Sequence, residues 1–483
     1  MPKLMVIQLA RLGDLIQSIP FLQTLKADSS NHLTLMLDSR IADSARDAVP
    51  ADEIIPVDIK NLSRSYRTPD LYNNYLRILE GASVIGEMHY DRVYNLNHAM
   101  INYALLPLIR TEKLTGFQFS GKPDNVKCSP EFRLFFNQSQ NRKYARIHLA
   151  DIFKMLVPVS GDYKFPLWQV SEKGGGFAAD LIAGIRRGGF EKVIGLHLGA
   201  GAEIRKWGAE KFARTVSLVR QKGSSAFVIV GTDTKESSRF KDSLGDTPGI
   251  YDLTGRTSID QLAGVLQQCD LVISSDSGPL QLAAAVGTKS IGLYFISALI
   301  HETGPLGKGH IVIQSLPECG PCDEENPACD DLSCKEEITP ELLCEVILLS
   351  ETGGISDIID PPANVLIFES DIDQRGQVYR LKAGNAELDK GSFYRELWFR
   401  LHEADAQDVN KTIRQNPDYS ELETEIRNLS KQPDLLPLAH HYFYVKADEG
   451  PAAAAGEFFR VLKILENING APIIKYGNTV KSA

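Results

Sequence analysis

A chain of 483 residues is too long for one ordinary core, so two or three domains are expected. With 43% hydrophobic and 24% charged residues it has the composition of a soluble globular protein, and a formal net charge of −10 argues against a general nucleic-acid binder, which carries a basic excess. No run of about 18 apolar residues offers a membrane span, and the opening MPKLMVIQLARLGD meets its Gly-Asp pair too early for a secretory signal core, so a cytoplasmic location is expected.

LMVIQLA (4–10) reads as a strand leading into a helix over Leu15–Lys26. Between them, RLGDLIQSIP (11–20) places the carboxylate of Asp14 just after Gly13. Two readings stand at this point. Aspartate is a favoured capping residue, accepting a backbone N–H of a first helical turn. It is also a reactive group at the carboxyl end of a strand, where open α/β sheets gather their ligands. HLTLML (32–37) leads into a helical stretch from Ile41, and DEIIPVD (52–58) and YDRVYNLN (90–97) are further strands. Alternation of this kind predicts βαβ units and a mostly parallel sheet.

GDYKFPLWQVSEKGGG (161–176), with a proline and three consecutive glycines, reads as an interdomain linker. The alternation then restarts with KVIGLHLG (192–199), a helix from Ala209, AFVIVG (226–231), a helix through Ser238–Ser243, and GIYDLTG (249–255). It continues with Ile259–Gln268, DLVISSD (270–276), Leu280–Val286 and SIGLYF (290–295). Two such units would face one another across a cleft.

Three loops of the second unit carry chemistry. In HLGAGAEIRKW (197–207), Gly199 and Gly201 let backbone N–H groups approach a phosphate, and Arg205 and Lys206 supply positive charge. A dinucleotide fingerprint fails there, because Ile204 stands where the third glycine belongs. The bland alternative is a surface loop with solvated cations. In VGTDTKES (230–237), Asp233 or Glu236 is placed to accept from ribose hydroxyls or to cap a helix. In SSDSGPLQLAAAVG (274–287), a strand ends in Asp276 and Ser277, Gly278 and Pro279 open a helix at once. That turn offers helix N–H groups and a dipole to a pyrophosphate.

From about residue 352 the character changes. VLIFESDIDQRGQVYRLK (365–382) reads as a hairpin turning at Arg375-Gly376. Tyr394, Leu397, Trp398 and Leu401 follow helical spacing, and another helix is expected around Glu457–Leu465. CGPCDEENPACDDLSC (319–334) gathers Cys319, Cys322, Cys329 and Cys334 as C-x₂-C-x₆-C-x₄-C. Four thiolates suit a structural zinc or iron, and reduced thiols or a redox pair are the alternative.

RLGDLIQSIPFLQTLK, GLHLGAGAEIRKWGAEKFA, DLTGRTSIDQLAGVLQQCDLVISSDSGPLQLAAAVG and ITPELL occur in order and at suitable separations. Together they resemble glycosyltransferase family 9, the ADP-heptose:lipopolysaccharide heptosyltransferases, over roughly residues 1–350. The resemblance implies a GT-B fold, two Rossmann-like domains facing a central cleft, with an α+β C-terminal extension outside it. The acceptor-binding domain is expected at 1–165, the nucleotide-sugar domain at 166–351, and the extension at 352–483. It further implies an inverting transfer of heptose from ADP-heptose to a lipopolysaccharide core or related glycan, with no cofactor required.

Asp14 matches the family's general base, and Asp276, Ser277 and Gly278 match the turn that holds the donor's diphosphate and sugar. Gly13, Asn97 and His98 then fall on the acceptor side. Three departures stand out. Gln281 replaces the family's histidine and carries no positive charge. Arg205-Lys206-Trp207 puts an arginine where the family has lysine, and a planar fork binds phosphate differently from a point ammonium. YNLNH (94–98) replaces an Asp-Leu-Gln-Gly run.

An anionic acceptor at the inner membrane would suit peripheral contact by YALLPLIRTEKLTGF (103–117) and NRKYARIHLADIFK (141–154), which mix apolar and basic residues; ordinary core helices are the alternative. Two rival functions remain: a sugar-nucleotide epimerase or hydrolase on the same fold, and a non-catalytic nucleotide-sugar-binding scaffold.

Overall fold

The computed structural model describes residues 1–61, 88–119 apart from 98, 126–129, 146–157, 163–317 apart from 296, 332–352 and 360–385, with a few isolated positions besides. Met1–Phe132 and Ile147–Gly391 form one compact unit, which holds two sheets. The helical face expected at Tyr394–Leu401, the helix near Glu457–Leu465 and His98 lie outside the described residues.

The first sheet contains β1 (Lys3–Gln8), β2 (His32–Asp38), β3 (Glu53–Val57), β4 (His89–Asn95), β5 (Arg110–Phe119) and β6 (Val126–Cys128), in the order β3-β2-β1-β4-β5-β6. All pairs are parallel except β5–β6. Its helices include α1 (Leu12–Lys26), α2 (Ser39–Ala45), α3 (Met100–Leu105) and α4 (Leu149–Lys154).

Crossovers continue through α5 (Glu172–Arg187), β7 (Lys192–His197), α6 (Ala209–Arg220), β8 (Ser225–Val230), α7 (Thr234–Leu244) and β9 (Ile250–Asp252). They are followed by α8 (Ile259–Gln268), β10 (Leu271–Ser275), α9 (Gly278–Ala285), β11 (Ser290–Tyr294), β12 (Ile311–Ser315), α10 (Pro340–Thr352), β13 (Val365–Asp373) and β14 (Gly376–Ala383). The second sheet runs β14-β13-β12-β11-β10-β7-β8-β9.

Both sheets are doubly wound, so the strand order reverses beside β1 and again beside β7. Beside each central strand, at β1/β4 and at β7/β10, a crevice opens at the carboxyl ends. The central strands are apolar on both faces because helices cover both: Met5, Val6 and Ile7 in β1, and Val272 and Ile273 in β10, are all buried. Ile194, Leu196, Phe227, Ile229 and Ile273 meet Phe212, Val216, Leu343 and Ile347 from α6 and α10 in the core of the second sheet. The α/β GT-B expectation is met by this architecture.

Two local expectations are corrected, and the hairpin expectation is met. The glycines of SEKGGG do not end a linker but lie in the first turns of α5, which Ser171 caps by accepting from the Gly174 N–H. Gly174 is there because α8 presses on it: a Cβ on Gly174 would stand 2.6 Å from the Asp260 carbonyl oxygen, and one on Gly264 would stand 2.4 Å from the Gly174 carbonyl oxygen. Upstream, Leu167 and Trp168 donate their N–H groups to the Ala285 carbonyl and Gln169 donates its own to the Ala48 carbonyl, so this stretch is bonded to both lobes. The segment 103–117 is not one helix, since α3 gives way at Leu106-Pro107-Leu108 and Arg110 begins β5. The expected hairpin forms as β13 and β14, but it joins the second sheet by antiparallel pairing with β12. That sheet therefore runs past residue 351.

Candidate active site at the two strand-end crevices

Asp14 sits at the third position of α1, with Arg11 as the N-cap residue. Its Oδ2 accepts the Arg11 backbone N–H at 3.0 Å, the reach-back half of a capping box. The cap reading is thus realised, but from the third helical position. Burial pushes the Asp14 pKa up, while the Arg11 N–H and the charges of Arg11 and Arg205 pull it down; the net direction is upward. Arg205, whose charge acts on Asp14, belongs to the second lobe.

The two lobes touch directly beside it. A Cβ on Gly13 would lie 3.5 Å from Gln281 Cγ, and one on Gly278 would lie 3.7 Å from Leu12 Cβ. Small residues on both sides let the start of α1 meet the start of α9.

In the second lobe, Arg205 Nη1 donates to Asp276 Oδ2 at 2.6 Å. Asp276 is 7% exposed, so this pair is worth more than a surface bridge: removing the arginine leaves a buried carboxylate uncompensated. Lys206 Nζ is held by Glu203 Oε2 and Asp233 Oδ2, both at 2.8 Å. Both cations of the loop already have carboxylate partners.

Ser277 caps α9, accepting from the Leu280 N–H, and Pro279 has no N–H to offer. Gly278 therefore supplies the free N–H of that first turn among the described residues. Ser277 Oγ lies 2.7 Å from Ser274 Oγ, and Ser274 Oγ lies 3.0 Å from His197 Nδ1. His197 is buried, and desolvation lowers its pKa to about 4, so its ring is neutral. Gly199 and Gly231 close around that ring. Gly231 has φ +107, and a Cβ there would stand 2.5 Å from His197 Cδ2.

The family model of glycosyltransferase family 9 (heptosyltransferase) matches residues 81–331, a range that holds the second crevice and not Asp14. The chain belongs to that family. Lipooligosaccharide heptosyltransferase 2 of Campylobacter jejuni serotype O:2 is 25% identical over 161 residues, which are 32% of this chain and 50% of that protein. The match thus spans about half the length of that relative. The family 9 glycosyltransferase of Veillonella parvula has a like fold, with TM-score 0.57 at 21% identity over 73% of this chain and 96% of that one. E. coli ADP-heptose lps heptosyltransferase II gives TM-score 0.52 at 18% identity over 73% and 99%.

Within this family 9 chain, several expected residues serve other contacts. Gln281, expected on a phosphate, is buried and gives its amide N–H to the Thr303 carbonyl at 2.6 Å. Gln17 of α1 and the Tyr294 hydroxyl donate to the same carbonyl, which makes a seam between the lobes. Glu236, expected on ribose, is buried with Oε1 accepting from Arg239 at 3.0 Å, and Asp233 caps α7. Asn97, expected toward the acceptor, instead accepts from the Leu9 N–H and donates to Gln8 Oε1, each at 2.6 Å. Gln8 in turn donates to the Asp14 carbonyl at 3.2 Å, so Asn97 steadies the loop that carries Asp14.

Cys319 is exposed, while Cys334 is buried in the second core with Ile338 and Cys344. Among the described residues no three His, Cys, Asp or Glu side chains gather to hold a metal ion. No described helix is long and apolar enough to cross a membrane.

Arg11, Gln8, His197 and Ser274 escaped the sequence reading. A histidine ending a strand and a serine two residues before Asp276 were the available signals for the last two.

Proposed function

We propose that this chain is an inverting glycosyltransferase that moves heptose from ADP-heptose to a lipopolysaccharide core or a related glycan. One observation carries the reading: the turn that bears Asp14 meets the start of α9 directly, Gly13 against Gln281 and Leu12 against Gly278. A carboxylate beside an anion-binding turn is what the transfer needs. The acceptor hydroxyl attacks the anomeric carbon and gives its proton to Asp14. The bond from that carbon to the β-phosphate oxygen breaks, and ADP departs with the electron pair. Gly278 N–H, the dipole of α9 and the cations nearby offset the charge that develops.

Support for the donor comes from family membership and from the name of the E. coli structure of like fold, an ADP-heptose lps heptosyltransferase. The base and the anion-binding groups in this reading are all protein atoms, so it assigns no metal to the transfer step. An acceptor of this class is anionic and lies at a membrane, which in this reading puts the protein peripherally at the inner face.

The test is product analysis of the full chain with ADP-heptose and a core oligosaccharide. Addition of one heptose with inverted anomeric configuration and stoichiometric ADP is expected. ADP release with the acceptor unchanged would replace this reading with the hydrolase, and no turnover alongside donor binding would favour the scaffold.

A further inference from the structure

The cation that faces the glycine loop comes from the opposite lobe. Arg11 is exposed, and among the described residues no hydrogen bond or ion pair holds its guanidinium, although its charge acts on the Asp14 carboxylate. It lies against Gly201 of the 199–201 loop, so close that a Cβ there would stand 2.6 Å from Arg11 Nη1. Gly201 is the residue that admits it. Arg205 and Lys206, by contrast, are spent on Asp276 and on Glu203 with Asp233.

We propose that Arg11 is a catalytic ligand of the donor's diphosphate, reaching from the acceptor-side lobe to complete the anion site formed by the Gly199–Gly201 loop and the Gly278 N–H. This inference rests on the nucleotide-sugar reading above. A guanidinium with its donors unspent can take a bidentate grip on phosphate oxygens. Arg205 could do the same only by releasing the buried Asp276 carboxylate, which is costly. As the glycosidic bond breaks, its electron pair stays on the β-phosphate oxygen, and among the described residues Arg11 is placed to meet that charge.

The same residue serves the base. Its backbone N–H holds Asp14 Oδ2 while its side chain spans to Gly201. Donor phosphate and general base are thereby tied to one residue, so a bound donor fixes the N-cap that orients the base.

The experiment is calorimetric titration of ADP and of AMP into the full chain, as wild type, Arg11→Ala and Arg11→Lys. A charge-assisted pair is worth roughly 1.5–3 kcal/mol, so Arg11→Ala is expected to weaken ADP binding by about tenfold to a hundredfold. AMP, which lacks the β-phosphate, should change by less than about threefold, and lysine should restore part of the loss because it keeps the charge without the fork. ADP affinity in Arg11→Ala equal to wild type, or ADP and AMP weakened equally, would overturn the assignment while leaving the nucleotide-sugar reading in place. Wild-type protein that binds neither nucleotide would overturn both.

Discussion

At the residue scale, Asp14 carries two roles that one substitution separates. Asn keeps an oxygen for the Arg11 N–H but cannot take a proton. Asp14→Asn is therefore expected to retain fold and ADP affinity while transfer falls by about 10²–10⁴. Asp14→Ala loses the cap as well, which adds roughly 1 kcal/mol of destabilisation measurable in urea. The sign of the pH dependence also follows. Burial raises the Asp14 pKa and the working base is ionised, so activity grows as pH rises through a value above the ordinary aspartate pKa of about 3.9. The acid limb of kcat/KM measures it, and a limb at or below that value would remove Asp14 from the role. Asp14, Asp276 and Ser277 were legible in sequence because each lies where a strand gives way to a helix, within two residues of a glycine. The exposure of Arg11 to Gly201 was not, since its contact lies about 190 residues away along the chain and no local pattern encodes it.

At the element scale, most of the α/β alternation could be read directly, because parallel strands buried on both faces are plain apolar runs. What failed were places where tertiary packing outweighs local propensity. Three glycines look like a linker until α8 is seen pressing on α5 through Gly174 and Gly264. Adding a methyl group at Gly264 forces the two helices apart, so Gly264→Ala is expected to cost about 1–3 kcal/mol. A lowered urea midpoint with an unchanged slope would confirm it, and an unchanged midpoint would show that the helices yield freely. The hairpin of β13 and β14 was visible as a hairpin. Its partner was not: pairing with β12 spans some 50 residues, and the Gln377 N–H further binds Asp151 Oδ2 of α4 at 2.9 Å.

At the scale of the whole molecule, three buried histidines set the acid limit of stability. His148 accepts from the Ala150 N–H at Nδ1 and faces the Gly304 carbonyl with Nε2, an arrangement that the neutral ring satisfies. His197 lies against Ser274, and His310 against Ser290. Desolvation lowers all three pKa values from 6.5 to about 4. Between those values the unfolded chain binds protons that the folded chain refuses. Stability is therefore full above about pH 6.5 and is lost as pH falls toward 4, by roughly 2 kcal/mol per histidine at pH 5. The urea midpoint should drop steeply from pH 7 to pH 5, and His310→Gln should flatten that slope. A midpoint independent of pH in this range would mean the three rings can take up protons in the folded state.

The central claim concerns the donor. The most direct test is titration of the full chain with ADP-heptose, ADP-glucose, UDP-glucose and GDP-mannose. The account predicts that ADP-heptose binds selectively, with the affinity carried by the diphosphate groups at Arg11, Ser277 and Gly278. Preference for a different nucleotide sugar, or binding of none, would contradict it.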